Sequence, residues 1–303
     1  MFLVKVAILD NKKKNQVVSL GLSAAVLVAL VFWNNTNSAA NYQYLKNIVP
    51  DVQNGKYVFT VAGCANCHTT MGKKSEFVLG GGMAFPTAFG TFYAPNISNS
   101  KDHGIGDWTM NDFATALKQG VGPTGEHYFP AFPYTSYRLI SDQDLADLWA
   151  FWQTLPAEEI ASRNHDLKFP FSSRIGLIGW KALYFNEGWV GPDNERRGRY
   201  LVESLGHCAE CHTPRSFLGG LQQDKWLQGA NSLTDKRVVP AITPKTLSWS
   251  VSEIMEYLST GFTPDFDVVG GSMARVVENT SRLSREDLHA IAKYLVNMRE
   301  KWE

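Results

Sequence analysis

Charge of one sign is what this 303-residue chain lacks: 29 basic residues stand against 29 acidic ones, a formal net charge of zero at neutral pH. That balance leaves no electrostatic footprint for a nucleic acid or a strongly charged substrate, and no nucleic-acid partner is expected. No glycine fingerprint follows a strand as in dinucleotide-binding folds, and no catalytic triad is recognisable, so nothing in the chain supplies a site for an organic substrate. Sustained alternation of polar and apolar residues, the mark of half-buried strands, is also missing. Cysteine is scarce, with four in the whole chain.

Those four cysteines fall into two matching strings, Cys64-Ala65-Asn66-Cys67-His68 and Cys208-Ala209-Glu210-Cys211-His212. Cys-x-x-Cys-His is the attachment signature of a c-type haem, in which two thiols form thioether links and the adjacent histidine reaches the iron. The spacing requires a short helical turn that turns both sulfurs and the imidazole to one porphyrin edge. A disulfide framework, a zinc site or a thioredoxin-like dithiol would each leave the histidine after both pairs unexplained. Two covalently bound haem c groups are therefore expected, with Cys64, Cys67, Cys208 and Cys211 as attachment points and His68 and His212 on the irons. Nine Trp and eleven Tyr suit an interior built around a large flat cofactor, though an ordinary aromatic core has the same composition.

The stretch after each motif repeats as well. The motifs start 144 residues apart, and Trp108 to Gly120 matches Trp249 to Gly261, 12 residues in each case. Thr109 with Asp112, and Ser250 with Glu253, read as capping boxes opening a helix. Phe113, Ala116 and Leu117 form the apolar face of one, Ile254, Tyr257 and Leu258 that of the other. Gly120 and Gly261 read as helix stops. Ser141 and Ser284 then open closing helices with apolar faces Leu145, Leu148, Trp149, Trp152 and Leu288, Ile291, Ala292, Leu295. The expected fold is all-α, with domains at 50–157 and 193–303 joined by a connector at 158–192. The apolar stretch Ile175 to Phe185 in the connector is expected either to pack between the domains or to dock a partner.

The N-terminus reads as an export signal. Lys5, Lys12, Lys13 and Lys14 precede an uncharged apolar run from Val17 to Trp33. Its 17 residues reach the lower limit of a membrane-spanning helix, and the basic cluster sets the remainder of the chain outside. Residues 1–49 are expected to form a cytoplasmic tail, a transmembrane anchor and a linker, on the periplasmic side of the inner membrane thereafter. Cleavage after Ser38-Ala39-Ala40 is the rival reading.

The plan resembles class I cytochrome c, twice over. Phe89-Gly90-Thr91-Phe92-Tyr93-Ala94-Pro95-Asn96-Ile97, Gly104-Ile105-Gly106-Asp107-Trp108, Tyr128 to Tyr134 and Gly206 to Arg215 resemble the multihaem cytochrome c subunits of bacterial membrane-bound alcohol and aldehyde dehydrogenases. Those subunits usually carry three haems; this chain stops after two. The resemblance implies tandem cytochrome c domains that take electrons from a catalytic dehydrogenase subunit and pass them to quinone or a terminal oxidase. It also implies that Met273, in a Gly-Gly-Ser-Met loop 12 residues after Gly261, completes the second iron, and that the carbonyl of Pro214 orients the proximal imidazole there. The first motif has Thr70 in place of that proline.

Twelve residues after Gly120 stands Phe132, which cannot ligate iron. The first iron then recruits another group or stays five-coordinate. His127 is one candidate, Met83 and Met110 are weaker ones, and His103 reads as a surface turn. Unequal ligation predicts unequal potentials, with the second haem higher and electrons moving towards it. Two further readings stay open: a dihaem peroxidase-like oxidoreductase, which needs acid/base groups over an open iron, and a cytochrome subunit of a haem-copper oxidase.

Overall fold

A computed structural model describes residues 41–185, 188–232 and 237–298. The run at 17–33, where the anchor was expected, lies outside the described residues. Among the described residues no helix is long and apolar enough to cross a membrane.

Each half is built on a crossed pair of helices. In the first, α1 (Val52–Val61) starts at Asp51, whose carboxylate accepts from the Gln53 and Asn54 amides, and the motif turn α2 (Cys64–His68) comes next. Helix α3 (Met110–Gln119), the turn α4 (Tyr134–Tyr137) and α5 (Asp142–Trp152) complete this half, and α5 packs across α1. The crossing needs a glycine: a Cβ on Gly55 would sit 2.0 Å from the Asp147 carbonyl oxygen. Buried Asp147 accepts from the Asp51 amide, Asn54 and Gln143 at 2.7–2.8 Å, which satisfies its charge.

The second half repeats the device. Helix α7 (Arg196–Arg199) runs on as a π-helical turn over Tyr200–Leu205, then comes the motif turn α8 (Ala209–His212). Helices α9 (Val251–Thr260), α10 (Gly271–Thr280) and α11 (Arg285–Asn297) close it, counting α6 of the connector below. Here Gly198 stands where a Cβ would meet the Ala290 carbonyl oxygen at 2.1 Å. The expected caps form in both halves. Thr109 with Asp112 and Ser250 with Glu253 close reciprocal capping boxes, Ser141 and Ser284 cap α5 and α11, and Gly120 and Gly261 end α3 and α9 in the left-handed conformation.

The fold is not all-α. Strands β1 (Ala84–Thr87) and β2 (Gly90–Tyr93) form an antiparallel hairpin, and β3 (Asp166–Leu167) adds to β2 with Gly90 opposite Leu167. A second ribbon joins β4 (Ala230–Asn231) and β5 (Val238–Val239). These strands run two to four residues, too short for period-two alternation to show, and β1 contains Pro86. The connector is likewise structured. Its β3 and its helix α6 (Gly176–Tyr184) enclose a small apolar cluster of Phe92, Phe129 and Leu177, with Phe85, Phe89 and Leu167 packed against it. The connector is thereby built onto the first half.

The described residues from Asn41 onward form one compact unit. Asp287 of α11 is one of the ties between the halves: it accepts from Tyr57 of α1 at 2.5 Å and from Arg197 of α7 at 2.8 and 2.6 Å. Burial pushes the Asp287 carboxyl up, but the hydrogen bonds from Arg197 and Tyr57 outweigh it and hold the carboxyl below its usual range. A carboxylate lowered in the folded state contributes stability that is complete above its unfolded pKa, about 3.9, and is lost as pH falls through the lowered value. Asp287→Ala is expected to cost about 2 kcal/mol at pH 7, discounted from buried pairs because Arg197 is half-exposed. Denaturant midpoints of both proteins between pH 7 and pH 2 check this; a gap that stays constant with pH would dismiss the ion pair as its source.

Candidate haem-binding sites

Both motif histidines are fixed by the same local device. The Nδ1 of His68 lies 2.9 Å from the Pro95 carbonyl oxygen, and the Nδ1 of His212 lies 2.8 Å from that of Pro240. A carbonyl oxygen only accepts, so each Nδ1 carries the proton and each Nε2 keeps a free lone pair. That is the tautomer a metal-bound imidazole requires. The histidine carbonyls are held as well, by the Gly81 amide at 2.8 Å and the Gly229 amide at 2.7 Å. Burial lowers the basicity of His212 against the opposing effect of its Pro240 bond, which favours the neutral ring.

The Pro95 carbonyl is itself pinned by α5 and the chain after it. Asn99 donates to the Trp152 and Leu155 carbonyls, Asn96 to those of Glu158 and Ile160, and Trp152 Nε1 to the Ile97 carbonyl at 2.9 Å. In the second half the Ile242 amide donates to Leu227 and the buried Thr243 bonds Thr246. The expectation for Pro214 is therefore corrected: its carbonyl accepts from the Gln222 amide, and Pro240 takes the role at His212. The two histidines have equivalent partners, whatever residue succeeds each motif. A repeated Pro-x-Ile-Ser/Thr string marks the spot, Pro95 to Ser98 and Pro240 to Thr243, 27 and 28 residues after the histidines.

The four thiols are unpaired. Burial pushes Cys64 and Cys208 up to about 12 and Cys67 to about 11, the reverse of an activated dithiol, whose thiol is depressed. Among the described residues no three His, Cys, Asp or Glu side chains converge as a metal cage. Paired neutral thiols and one free imidazole nitrogen on a single helical turn fit thioether attachment and axial ligation of haem.

The two motifs adjoin. Cys67 lies within the electrostatic reach of Cys211. The Ala62 carbonyl, two residues before Cys64, accepts from Tyr137 at 2.8 Å and faces His207 Nε2 at 3.3 Å, and His207 immediately precedes Cys208. The Tyr137 ring meets His207 edge-on at 5.5 Å.

The other candidates are not brought together in this way. Phe132 packs its ring on Tyr128, Tyr134 and Tyr137. Met273 lies in the first turn of α10, partly buried against the core. The forward count from the helix stop is equal for the two, but Phe132 stands 9 residues before the Ser141 cap and Met273 stands 11 before the Ser284 cap. Met273 therefore sits inside a ten-residue helix, whereas Phe132 precedes a four-residue one. His127 has a close neighbour: Lys181 Nζ of α6 lies 2.9 Å from its Nδ1 and donates to the Gln119 and Gly120 carbonyls that end α3. Burial pushes the Lys181 amine down to about 7; in its charged form it only donates, and the His127 Nδ1 then accepts with the proton on Nε2. Burial, then the Lys181 charge, lowers the basicity of His127. Met83 accepts from Arg275 at 3.3 Å, Met110 packs on the core, and His103 is exposed in a turn.

The cytochrome c family pattern matches residues 52–156. The chain is 47% identical to the diheme cytochrome c-type protein of Cereibacter sphaeroides, over 90% of this chain and 95% of that protein. It is 37% identical to the fructose dehydrogenase cytochrome subunit of Gluconobacter japonicus, over 84% of this chain and 54% of that subunit. It is 32% identical to the cytochrome c subunit of the alcohol dehydrogenase (quinone) of Gluconobacter oxydans, over 82% of this chain and 54% of that subunit. The chain thus spans about half the length of these two dehydrogenase subunits.

Proposed function

This chain belongs to the dihaem cytochrome c family, and from that premise we propose that it relays single electrons from a catalytic dehydrogenase to quinone or a terminal oxidase. Its cofactor is haem c, and it is related to the cytochrome subunits of dehydrogenase complexes. Haem c supplies the one-electron ferric/ferrous couple. The chain's own residues hold and orient. Cys64 with Cys67, and Cys208 with Cys211, would form the thioether links; His68 and His212 would reach the irons through Nε2; Met273 would complete the second. His127, the candidate for the first iron, has Lys181 Nζ beside its Nδ1. The observation that carries this reading is the duplicated histidine-to-carbonyl bond, which readies both imidazoles for iron in the same way.

The surroundings of Phe132 do not favour the peroxidase reading. Tyr128, Tyr134 and Tyr137 pack there, His127 is held by Lys181 and His207 faces the Ala62 carbonyl. We further propose that the haem-bearing part faces the periplasm, on the strength of the basic cluster and uncharged run near the N-terminus. Protease access in spheroplasts tests this, and protection of the folded part would dismiss it. The relay is tested by purifying the complex from its native membrane. A dehydrogenase is expected to copurify, its substrate to reduce both haems, and added quinone to reoxidise them. Haems that stay oxidised in the presence of every copurifying enzyme's substrate would rule the relay out.

A further inference from the structure

Helix α10 has two working faces. Met273, Val277 and Thr280, at i, i+4 and i+7, share one of them; Val277 is buried there and Thr280 donates to the Leu258 carbonyl of α9 at 2.6 Å. Arg275 and Asn279, again four apart, lie on the opposite side. Arg275 Nη1 donates to the Asn66 carbonyl at 2.9 Å and to the Met83 sulfur at 3.3 Å, and Asn279 donates to the Asn66 side chain at 3.1 Å. Asn66 stands between Cys64 and Cys67. One helix of the second half therefore carries the thioether candidate for the second iron and is bonded to the attachment turn of the first haem.

Arg275 brings a full positive charge to that turn. Its two acceptors, a carbonyl and a thioether, are neutral and leave the charge uncancelled. Among the described residues no carboxylate pairs with it, whereas Arg282, three residues beyond Asn279, is paired with Glu76 and Glu278.

We propose that Arg275, contributed by the second half, raises the reduction potential of the haem attached at Cys64 and Cys67. Ferrous haem carries one positive charge fewer than ferric haem, so a neighbouring cation favours the reduced state. Because Arg275 is solvent-exposed, its effect belongs near the aqueous end of the Coulomb range, about threefold in the oxidised-to-reduced ratio. The proposal rests on haem attachment at Cys64 and Cys67, which peptide mass mapping of the wild-type protein checks separately.

The test is a potentiometric titration of the holoprotein, with the two ferric haems followed individually by electron paramagnetic resonance. Wild type is compared with Arg275→Gln and Arg275→Lys. At the wild-type midpoint of the first haem, Arg275→Gln is expected to raise the oxidised-to-reduced ratio about threefold while the second haem stays in place. Arg275→Lys keeps the charge and is expected to hold the wild-type ratio. An unchanged first haem in Arg275→Gln overturns the proposal. So does an equal shift in both variants, which would assign the effect to the hydrogen bonds of Arg275. If Arg275→Gln does not accumulate with two haems, Arg275→Met is titrated by the same criteria.

Discussion

The double variant Cys64→Ala/Cys67→Ala is expected to carry one covalent haem, at 208–212, where the wild-type chain carries two. The loss is complete at one site because no cysteine is spare: all four are used by the two motifs. It is confined to one site because the histidine of the second motif draws its support from its own half. The partners of His212, Pro240 and Gly229, belong to the loop between α8 and α9. Intact mass and haem staining after denaturing electrophoresis read the count directly. Retention of two covalent haems would sink the attachment assignment at Cys64 and Cys67. A chain with neither would show instead that the halves fold as one unit, through the Ala62, Tyr137 and His207 contacts.

The features legible in the sequence are those encoded locally. The cysteines and histidine of a motif lie within five residues, and a capping box closes across three, so Thr109 with Asp112 and Ser250 with Glu253 were legible before any tertiary contact formed. The carbonyls that orient the histidines were not. Any residue type can present a backbone carbonyl, and Pro214, two residues from His212, is less well aimed than Pro240, which is 28 away. The recurring Pro-x-Ile-Ser/Thr string carried the missing signal. The short strands escaped because two to four residues cannot display an alternating period.

Longer separations hid the partners of individual candidates. His127 meets Lys181 54 residues later, on a connector that composition alone left as either packing or docking surface. Arg275 and Asn66 are 209 residues apart. Neither pair has a spacing rule to betray it. Both arise because α6 and α10 are laid against the first half. Here the tertiary contact decides what a side chain does, and the residue type only limits the choice.

The sharpest expected difference between the two haems lies in the ligand opposite the histidine. Met273→His is expected to abolish the methionine-to-iron absorption band of the oxidised protein and to lower one midpoint potential. A thioether favours ferrous iron, whereas an imidazole donates more strongly and favours ferric iron. The fall should be on the order of 0.1 V, a fraction of the roughly 0.8 V that axial ligands span. The other midpoint should hold, because His68 keeps its own carbonyl at Pro95. Phe132→Met is the converse change. Phe132 packs on Tyr137, whose hydroxyl is bonded to the carbonyl two residues before Cys64, so a thioether introduced there starts beside the first attachment turn. A second methionine-to-iron band should appear, and the first midpoint should rise. The outcome that defeats unequal ligation is a wild-type protein with two equivalent His/Met irons by resonance spectroscopy. Met83 or Met110 would then be the first iron's ligand, and Met83 could serve only by leaving the guanidinium of Arg275.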